Sequence, residues 1–376
     1  MRPLPVLCLL VLGAARLLSQ TAPGPQVTTG PTARADPWDR LPRASLDFTH
    51  PIPLAGLPQS PFMVDPLQCS PSGTAFLQIP LPPTFTTWAF AAITKKGKIT
   101  RYDAGDSQIL GIDQLRTITW FPAEKYVYAL VEGRKHAPGQ TPGQDAKPPW
   151  QEFIAKYADD GTLDSVVPLR ISFLPARFAA LSSGRFVVIG EDVANHAPVM
   201  VMLDSDGDNP HPVDLFGSGS YGTESLGRFY PHAGSDDAVG SFMGRVVGSA
   251  QFVGHGDDVL LVQTGTNFPV VVMGDGGILP TVPLSLPAGI VIESLLPSSG
   301  EALYIRVVDS RTNPATHKLI AFDAVTGEAL RQISVAGLLS PESVACESEG
   351  TFLGLRKIFQ QGDQQGTWNL MTASEN

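Results

Sequence analysis

Charged residues are scarce in this chain of 376 residues, and basic residues are scarcer than acidic ones. Lys and Arg number 26 against 36 Asp and Glu, and the four types together make up 16% of the sequence. Nucleic acids and anionic membrane surfaces both require a basic face on the protein that binds them. The formal net charge of −10 therefore argues against nucleic acid or a membrane surface as the main partner.

Long apolar runs are also missing, apart from one at the N-terminus. Residues 4–12 are apolar, but this run is too short to span a bilayer as a stable helix. Arg2 supplies a positive start and small residues follow at 13–15, a pattern typical of a secretory signal peptide. We therefore predict a signal peptide at 1–20, with a buried N-terminal helix as the alternative. The protein is expected to be exported, periplasmic or extracellular, without a membrane span.

Only three cysteines occur, and Cys8 lies inside the predicted signal peptide. Removal of residues 1–20 leaves Cys69 and Cys346, and it leaves 24 basic against 36 acidic side chains, a net charge of −12. Two cysteines far apart in an exported chain favour a disulfide. The alternative is a pair of buried thiols packed as small apolar groups.

Motifs of known catalytic and metal sites are absent from the sequence. The seven histidines never stand in a His-x-His or His-Glu-x-x-His spacing, and no Gly-x-Ser-x-Gly elbow occurs. Asp204, Asp206 and Asp208 resemble the start of a calcium loop, but Gly207 is at the fourth position and Leu215 at the twelfth. We predict a hairpin turn there, and neither a metal nor a cofactor. A Ser-His-Asp triad is defined by geometry, so it stays an open alternative.

Turn-forming residues, in contrast, are abundant. The chain contains 37 Gly and 34 Pro spread along its length, and 43% of its residues are hydrophobic. This composition predicts many short strands around a sizeable core. Residues 21–43 are rich in Pro, Gly and Thr and have no hydrophobic period, so we expect a flexible lead-in before a single domain at 44–376.

A weak repeat runs through the predicted domain. Its first half is a turn of Gly or small residues followed by an alternating apolar strand, and its second half is a strand, a tight turn and another strand. Lys-Gly, Asp-Gly, Gly-Gly or Thr-Gly pairs stand in the second-half turns, because a hairpin turn needs a residue with positive φ. The first-half turns lie at Gly73, Lys125, Gly184, Gly256, Gly300 and Gly350.

A period of about 45–60 residues with four strands resembles the blades of β-propeller proteins. The resemblance extends over nearly all of residues 44–376 and is to the class as a whole, since the Gly-His and Trp-Asp marks of the tryptophan-aspartate repeat are missing. It implies an all-β chain with six blades of four antiparallel strands. The sixth repeat lacks a fourth strand, and we expect residues 45–54 to complete it. A two-sheet sandwich is the competing fold.

Within such a ring, Cys69 and Cys346 occupy matching positions, each four residues before the turn Gly of its own repeat. The first and sixth repeats are neighbours in a closed ring. We therefore predict a Cys69–Cys346 disulfide, which requires Cα atoms about 4.4–6.8 Å apart.

Two long insertions predict where a ligand binds. Residues 133–149 join the second and third strands of repeat two, and residues 217–243 join repeats three and four. Both emerge on the face opposite to the Gly turns, and long loops on one face of a rigid scaffold commonly carry binding sites. A solvated loop without a ligand is the alternative. The candidate ligand-binding residues at this mouth of the channel are Tyr221, Glu224, Arg228, Tyr230, His232, Asp236 and Asp237.

Two functions fit these observations. The first is a non-catalytic propeller that binds a protein or glycan ligand through the long-loop face. The second is a propeller hydrolase or lyase that acts at the channel mouth with His232 and the acids around it. Convergent polar side chains in the channel would favour the enzyme, and an aromatic or apolar patch on the loop face would favour the binding protein.

Overall fold

The structure is a computed structural model, and it describes residues 37–55, 57, 68–70, 72–81, 87–103, 114–134, 150–192, 194, 198–213, 250–265, 270–275, 277–279, 281–359 and 366–376. The chain divides into two compact units, Met1–Asp39 and Arg40–Asn376. A single-turn 3₁₀ helix spans Pro37–Arg40, inside the predicted lead-in. Within the described residues, no helix has the length and apolarity that crossing a bilayer requires.

The second unit consists of six small sheets, each built mainly from strands that are consecutive in sequence. Blade 1 contains β3 (Gln68–Cys69), β4 (Ala75–Leu81), β5 (Thr87–Ile93) and β6 (Ile99–Asp103). Blade 2 contains β7 (Gln114–Pro122), β8 (Val127–Arg134), β9 (Gln151–Tyr157) and β10 (Leu163–Pro168). Blade 3 contains β11 (Phe173–Ala180), β12 (Phe186–Asp192), β13 (Pro198–Leu203) and β14 (His211–Pro212).

Blade 4 contains β15 (Ala250–His255), β16 (Asp258–Gln263), β17 (Val271–Gly274) and β18 (Gly277–Ile278). Blade 5 contains β19 (Ile290–Leu296), β20 (Ala302–Asp309), β21 (Thr316–Asp323), β22 (Ala329–Gly337) and β1 (Arg43–Phe48). Blade 6 contains β23 (Val344–Ser348), β24 (Thr351–Ile358), β25 (Thr367–Ser374) and β2 (Pro51–Pro53), and a 3₁₀ turn at Pro341–Ser343 precedes it.

These sheets form a six-bladed β-propeller, which confirms the predicted fold class. The first strands β7, β11, β15, β19, β23 and β3 contact one another in this order, so they are the inner strands of the ring. Glycines with positive φ occupy the first turn of blades 1, 3, 4 and 6 and the third turn of blades 1, 2, 3 and 5. The repeat in the sequence therefore marks the blades correctly.

The N-terminal segment 45–54 forms two strands and not the single strand that the sequence predicted. β2 pairs with β25 and completes blade 6 as expected, with Ile52 opposite Leu370. β1 pairs in parallel with β22 and adds a fifth strand to blade 5. Pro51 and Pro53 lack the N–H that an inner ladder needs, which suits β2 to its place at an outer edge.

β1 is held by its side chains and by the last residue of the chain. Ala44, Leu46 and Phe48 are buried in alternation with exposed neighbours. The backbone N–H of Ser45 donates to the Asn376 oxygen at 3.2 Å, and the Asn376 N–H donates to the Ser45 oxygen at 3.1 Å. Both ends of the propeller therefore meet where blades 5 and 6 adjoin.

Glycines in the third turns of blades 2, 3 and 5 lie against the backbone of the preceding blade. A Cβ atom at Gly207, where φ is +77°, would lie 2.2 Å from the carbonyl oxygen of Pro168 at the end of β10. At Gly327 a Cβ atom would lie 1.8 Å from the Pro283 oxygen. Glycine is therefore required here for close packing between blades as well as for positive φ.

A disulfide joins blade 6 to blade 1. Cys69 of β3 and Cys346 of β23 are bonded, with their Cα atoms 5.8 Å apart, and both residues are buried. The inner strands of the first and last blades are thus connected covalently as well as by packing.

Candidate functional site

The residues predicted to bind a ligand lie outside the described part of the chain. All seven fall within 214–249, between β14 and β15, so the assignment stays a prediction, as does the enzyme alternative that uses His232. The residues are Tyr221, Glu224, Arg228, Tyr230, His232, Asp236 and Asp237.

The strand order nevertheless divides the propeller into two faces. Turns between first and second strands and between third and fourth strands lie on one face, named here the turn face. The β8–β9 and β14–β15 connections, which contain the two insertions, leave from the opposite face, named here the connection face.

A cleft of about 310 Å³ opens on the turn face, where the first turns of blades 2, 3 and 4 come together. Because these turns end three consecutive inner strands, the cleft lies at the inner rim of the ring. It is named here the turn-face cleft. Its lining consists of Phe121, Ala123, Glu124, Lys125, Tyr126, Tyr128, Lys156, Ala180, Leu181, Ser182, Ser183, Gly184, Gly254, Gly256, Asp257, Asp258 and Val259.

Blade 2 supplies an aromatic wall. The rings of Tyr126 and Tyr128 meet edge to face with centroids 6.3 Å apart, and Tyr128 in turn meets Phe186 at 6.0 Å. The ammonium group of Lys156 lies 3.7 Å from the Tyr126 centroid and 3.1 Å from a carboxylate oxygen of Asp164. Contacts with neighbours on both sides thus fix the tyrosine rings.

Burial is the main cause of the pKa shift of Tyr128. It raises the pKa of Tyr128 to about 12, with smaller contributions from Tyr126 and Asp164. The phenol therefore stays protonated throughout the physiological range. It is suited to hydrogen bonding with a ligand and not to exchanging protons with one.

Blade 3 forms another wall, and blade 4 holds it in place. Oδ1 of Asp275 accepts a hydrogen bond from the Ser183 N–H at 3.1 Å, and Oδ2 accepts one from the Ser182 hydroxyl at 3.2 Å. The guanidinium of Arg185 donates to the Asp275 backbone oxygen at 2.9 Å. The hydrogen bonds from Ser183 lower the pKa of Asp275, so its carboxylate stays charged and keeps accepting hydrogen bonds from the turn.

A second polar cluster lies between blades 5 and 6. Arg306 of β20 is only 8% exposed, and its Nε donates to the Ser294 hydroxyl at 2.5 Å while Nη1 donates to the backbone oxygen of Glu342. Nδ1 of His317 lies 2.9 Å from a carboxylate oxygen of Glu293, and Nε2 lies 3.8 Å from that of Glu342. Burial lowers the pKa of Arg306, and the hydrogen bond to Glu293 raises the pKa of His317.

The other blades indicate a structural role for this cluster. Arg306 stands opposite Ser294, just past a β-bulge in β19. At the matching place in blades 2, 3 and 6, the buried residue is Leu130, Ile189 or Leu353. A buried cation in place of an aliphatic side chain requires fixed polar partners, and the cluster supplies them.

The Asp204–Asp208 segment forms the third turn of blade 3, as predicted. Asp204 N–H donates to the Asp208 oxygen, and the Asn209 amide donates to an Asp204 carboxylate oxygen at 2.9 Å. Asp208 forms an ion pair with Arg170 at 2.9 Å. Within the described residues, no three His, Cys, Asp or Glu side chains converge as metal ligands.

Sequence reasoning missed the turn-face cleft. Its three segments, 123–128, 180–184 and 254–259, are distant in sequence, and each by itself is typical of a plain hairpin turn. The available signal was the run of polar residues at the first turns of three consecutive repeats, namely Glu124 and Lys125, Ser182 and Ser183, and Asp257 and Asp258.

Comparison with known proteins gives only weak structural similarity. No family model and no curated protein matches the sequence. Among solved structures, a luciferin-regenerating enzyme matches with 9% identity and a TM-score of 0.38, over 86% of this chain and 95% of that one. Virginiamycin B lyase from Staphylococcus aureus matches with 10% identity and a TM-score of 0.35, over 86% and 98%. The endosialidase of phage phi92 matches with 7% identity and a TM-score of 0.45, over 88% and 68%. Similarity this low bears on neither activity nor ligand.

Proposed function

We propose that this chain is an exported β-propeller that binds a protein or glycan ligand without transforming it, and that the turn-face cleft holds part of that ligand. The preformed cleft carries the proposal. Its walls come from three blades, and its turn in blade 3 is fixed by Asp275 before any ligand arrives. A site ordered in advance loses less free energy on binding than one that must order itself.

The chemistry of the fixed groups favours binding over catalysis. A general acid or base works best with a pKa near the operating pH. The pKa of Tyr128 is raised away from neutrality, to about 12. Lys156 contacts both the Asp164 carboxylate and the Tyr126 ring. Tyr128 can therefore orient a ligand by hydrogen bonding, while proton transfer at neutral pH does not suit it.

The connection face is the second region where we propose binding. The strands that flank both long insertions end at that face, and seven polar or aromatic residues within 221–237 are the proposed binding residues. Alanine at Tyr221, Tyr230 or His232 should leave the melting temperature near that of the parent, since surface changes usually stay within about 0.5 kcal/mol.

Filling the cleft tests the main proposal. Ala123→Trp places a large ring in the cleft, because Ala123 lines it, whereas Val325→Trp adds the same ring on the turn face at a residue that is 84% exposed. The mature chain and both variants are screened against arrays of glycans and peptides. We expect Ala123→Trp to weaken binding of the best ligand at least about tenfold, a difference of roughly 1.4 kcal/mol, and Val325→Trp to leave it unchanged.

Two results would contradict the proposal. Equal binding by both variants for every ligand found would show that the cleft takes no part. Recovery of a chemically altered ligand after incubation, measured by mass spectrometry, would show that the protein is an enzyme.

A further inference from the structure

We propose that the turn-face cleft receives a positively charged side chain, lysine or arginine, presented by a partner polypeptide. This inference rests on the proposed function, because it specifies the ligand of the same cleft. Four features carry it: carboxylates without partners at the rim, a nearly buried tyrosine whose hydroxyl has no partner among the described residues, an aromatic wall that already contacts a cation, and the size of the cavity.

The rim has an excess of negative charge. Glu124, Asp257 and Asp258 line the cleft, and Lys125 is the one basic side chain without a carboxylate partner among the described residues of the lining. Lys156 is neutralised by Asp164 at 3.1 Å. Within the described residues, none of the three acids has a side-chain hydrogen bond or an ion pair. A cation entering the cleft would therefore find carboxylates free to receive it.

Tyr128 provides an independent indication of a ligand. It lines the cleft although only 6% of its surface is exposed, and among the described residues its hydroxyl has no hydrogen-bond partner. The hydroxyl oxygen keeps some exposed surface, and Tyr128 is one of the residues that line the cleft. A hydroxyl so nearly buried is more stable with a partner. An ammonium or guanidinium N–H can donate to it.

The aromatic wall already accommodates a cation. The Lys156 ammonium lies 3.7 Å from the Tyr126 centroid, the arrangement of a cation–π contact. Phe121, Leu181 and Val259 add apolar surface to the same lining. Lys and Arg combine a charged head with an apolar stem, so they match both parts of this surface.

The size of the cavity argues for one side chain and not for an oligosaccharide. Sites for drug-sized ligands span about 300–1,000 Å³, and the turn-face cleft, at about 310 Å³, is at the lower end of that range. A single long side chain inserted from a polypeptide fits this volume, while the rest of the partner lies on the turn face.

Calorimetry with defined peptides tests the inference. Three blocked heptapeptides differ only in a central Arg, Lys or Gln, and spermidine and a neutral chitin trisaccharide serve as further probes of the mature chain. We expect the Arg and Lys peptides to bind at least about tenfold more tightly than the Gln peptide. Raising the salt from about 50 to about 500 mM should weaken their binding.

Paired variants connect binding to the named groups. D257N/D258N should weaken the Arg peptide about tenfold, and Tyr128→Phe should weaken it several-fold with an unchanged melting temperature. Glu301→Gln is the matched control, because Glu301 is an exposed acid in the first turn of blade 5, away from the cleft. It should have no effect.

Each remaining outcome would overturn the inference in a distinct way. Equal affinity for the Arg and Gln peptides, or no binding of the Arg peptide up to about 5 mM, would exclude a cationic side chain. If spermidine binds as tightly as the peptides, the cleft recognises a cation alone and not a cationic side chain presented by a polypeptide. Tight trisaccharide binding that Ala123→Trp abolishes would refute the inference and leave the proposed function intact, whereas insensitivity of every ligand to Ala123→Trp would refute both.

Discussion

Gly207 illustrates how much of the packing between blades depends on single backbone atoms. Its missing side chain lets the third turn of blade 3 rest on the Pro168 oxygen of blade 2, and the Arg170 N–H donates to the Gly207 oxygen at 2.9 Å. Pro168 at the end of β10 and Gly207 in the third turn of blade 3 therefore form one backbone contact between neighbouring blades.

Replacing Gly207 with Ala should destabilise the protein by about 2 kcal/mol or more, since a left-handed L-residue alone costs roughly 1–2 kcal/mol. Gly350 is the matched control: its φ is +75° and a Cβ atom there would have no neighbour within 4 Å. Gly350→Ala should cost only the backbone term. Urea unfolding of the two variants measures the difference, and equal losses would count against the contact with Pro168.

His317 should make stability depend on pH. The hydrogen bond to Glu293 is the main cause that raises its pKa in the folded state, and Glu342 adds to it while burial and Arg306 oppose it. A pKa raised on folding means that the charged imidazole contributes fully below the unfolded value of about 6.5. The contribution disappears as the pH rises through the folded pKa.

His317→Gln tests this sign. Near pH 5.5 we expect the variant to melt about 1–3 °C below the parent, because exposed ion pairs contribute about 0.2–1 kcal/mol. Near pH 8.5 the two melting temperatures should be closer. Differential scanning calorimetry at the two pH values is the measurement. A gap that is constant or that grows toward alkaline pH would contradict the assignment.

At the scale of strands, β1 and β2 are held by different forces. Leu46 of β1 has no exposed surface, whereas Ile52 of β2 is 36% exposed. Packing therefore anchors β1, and backbone pairing with β25 anchors β2.

Leu46→Ala should cost about 2–5 kcal/mol, the usual range for a large apolar side chain removed from a core. Ile52→Ala should cost less than about 1 kcal/mol. Chemical denaturation of both variants measures the two losses of unfolding free energy. If residues 45–54 instead formed one closing strand, the two losses would be similar.

The sequence predicts that the N-terminal segment completes blade 6, but it does not predict that β1 pairs with blade 5. Residues 53–54 are Pro-Leu, as at the ends of repeats two and four (168–169 and 283–284), and β2 does complete blade 6. β1 buries alternate residues. Alternating burial is the same for parallel and antiparallel pairing. Nothing in residues 43–48 therefore distinguishes a fifth strand on blade 5 from a fourth strand on blade 6.

At the scale of the molecule, the Cys69–Cys346 disulfide joins the two blades between which the ring closes. It links residues separated by 277 positions, and cross-links of long loops restrict the unfolded chain strongly. Reduction should lower the stability by about 2–4 kcal/mol, while C69S/C346S should be insensitive to reductant. Thiol counting in the unfolded, unreduced protein checks the bond, since two free thiols per chain would disprove it.

Blade number and turn positions are predictable because each blade repeats its own local chemistry. The turn-face cleft is not, because it exists only after the first turns of blades 2, 3 and 4 are brought together. The role of Arg306 cannot be predicted for a similar reason. In the sequence it interrupts an apolar strand, and its partners Ser294 and Glu342 are identified only from the packing of the folded chain.

The pairing of β1 with β22 and of β2 with β25 has a consequence for synthesis on the ribosome. Among the described strands, β1 and β2 emerge first, and their partners β22 and β25 are among the last four to emerge. Both early strands must wait without their native neighbours while four complete blades are translated. Contacts between such distant segments also slow folding. The ring can close only after β25 has left the exit tunnel, so it stays open while every earlier strand is made.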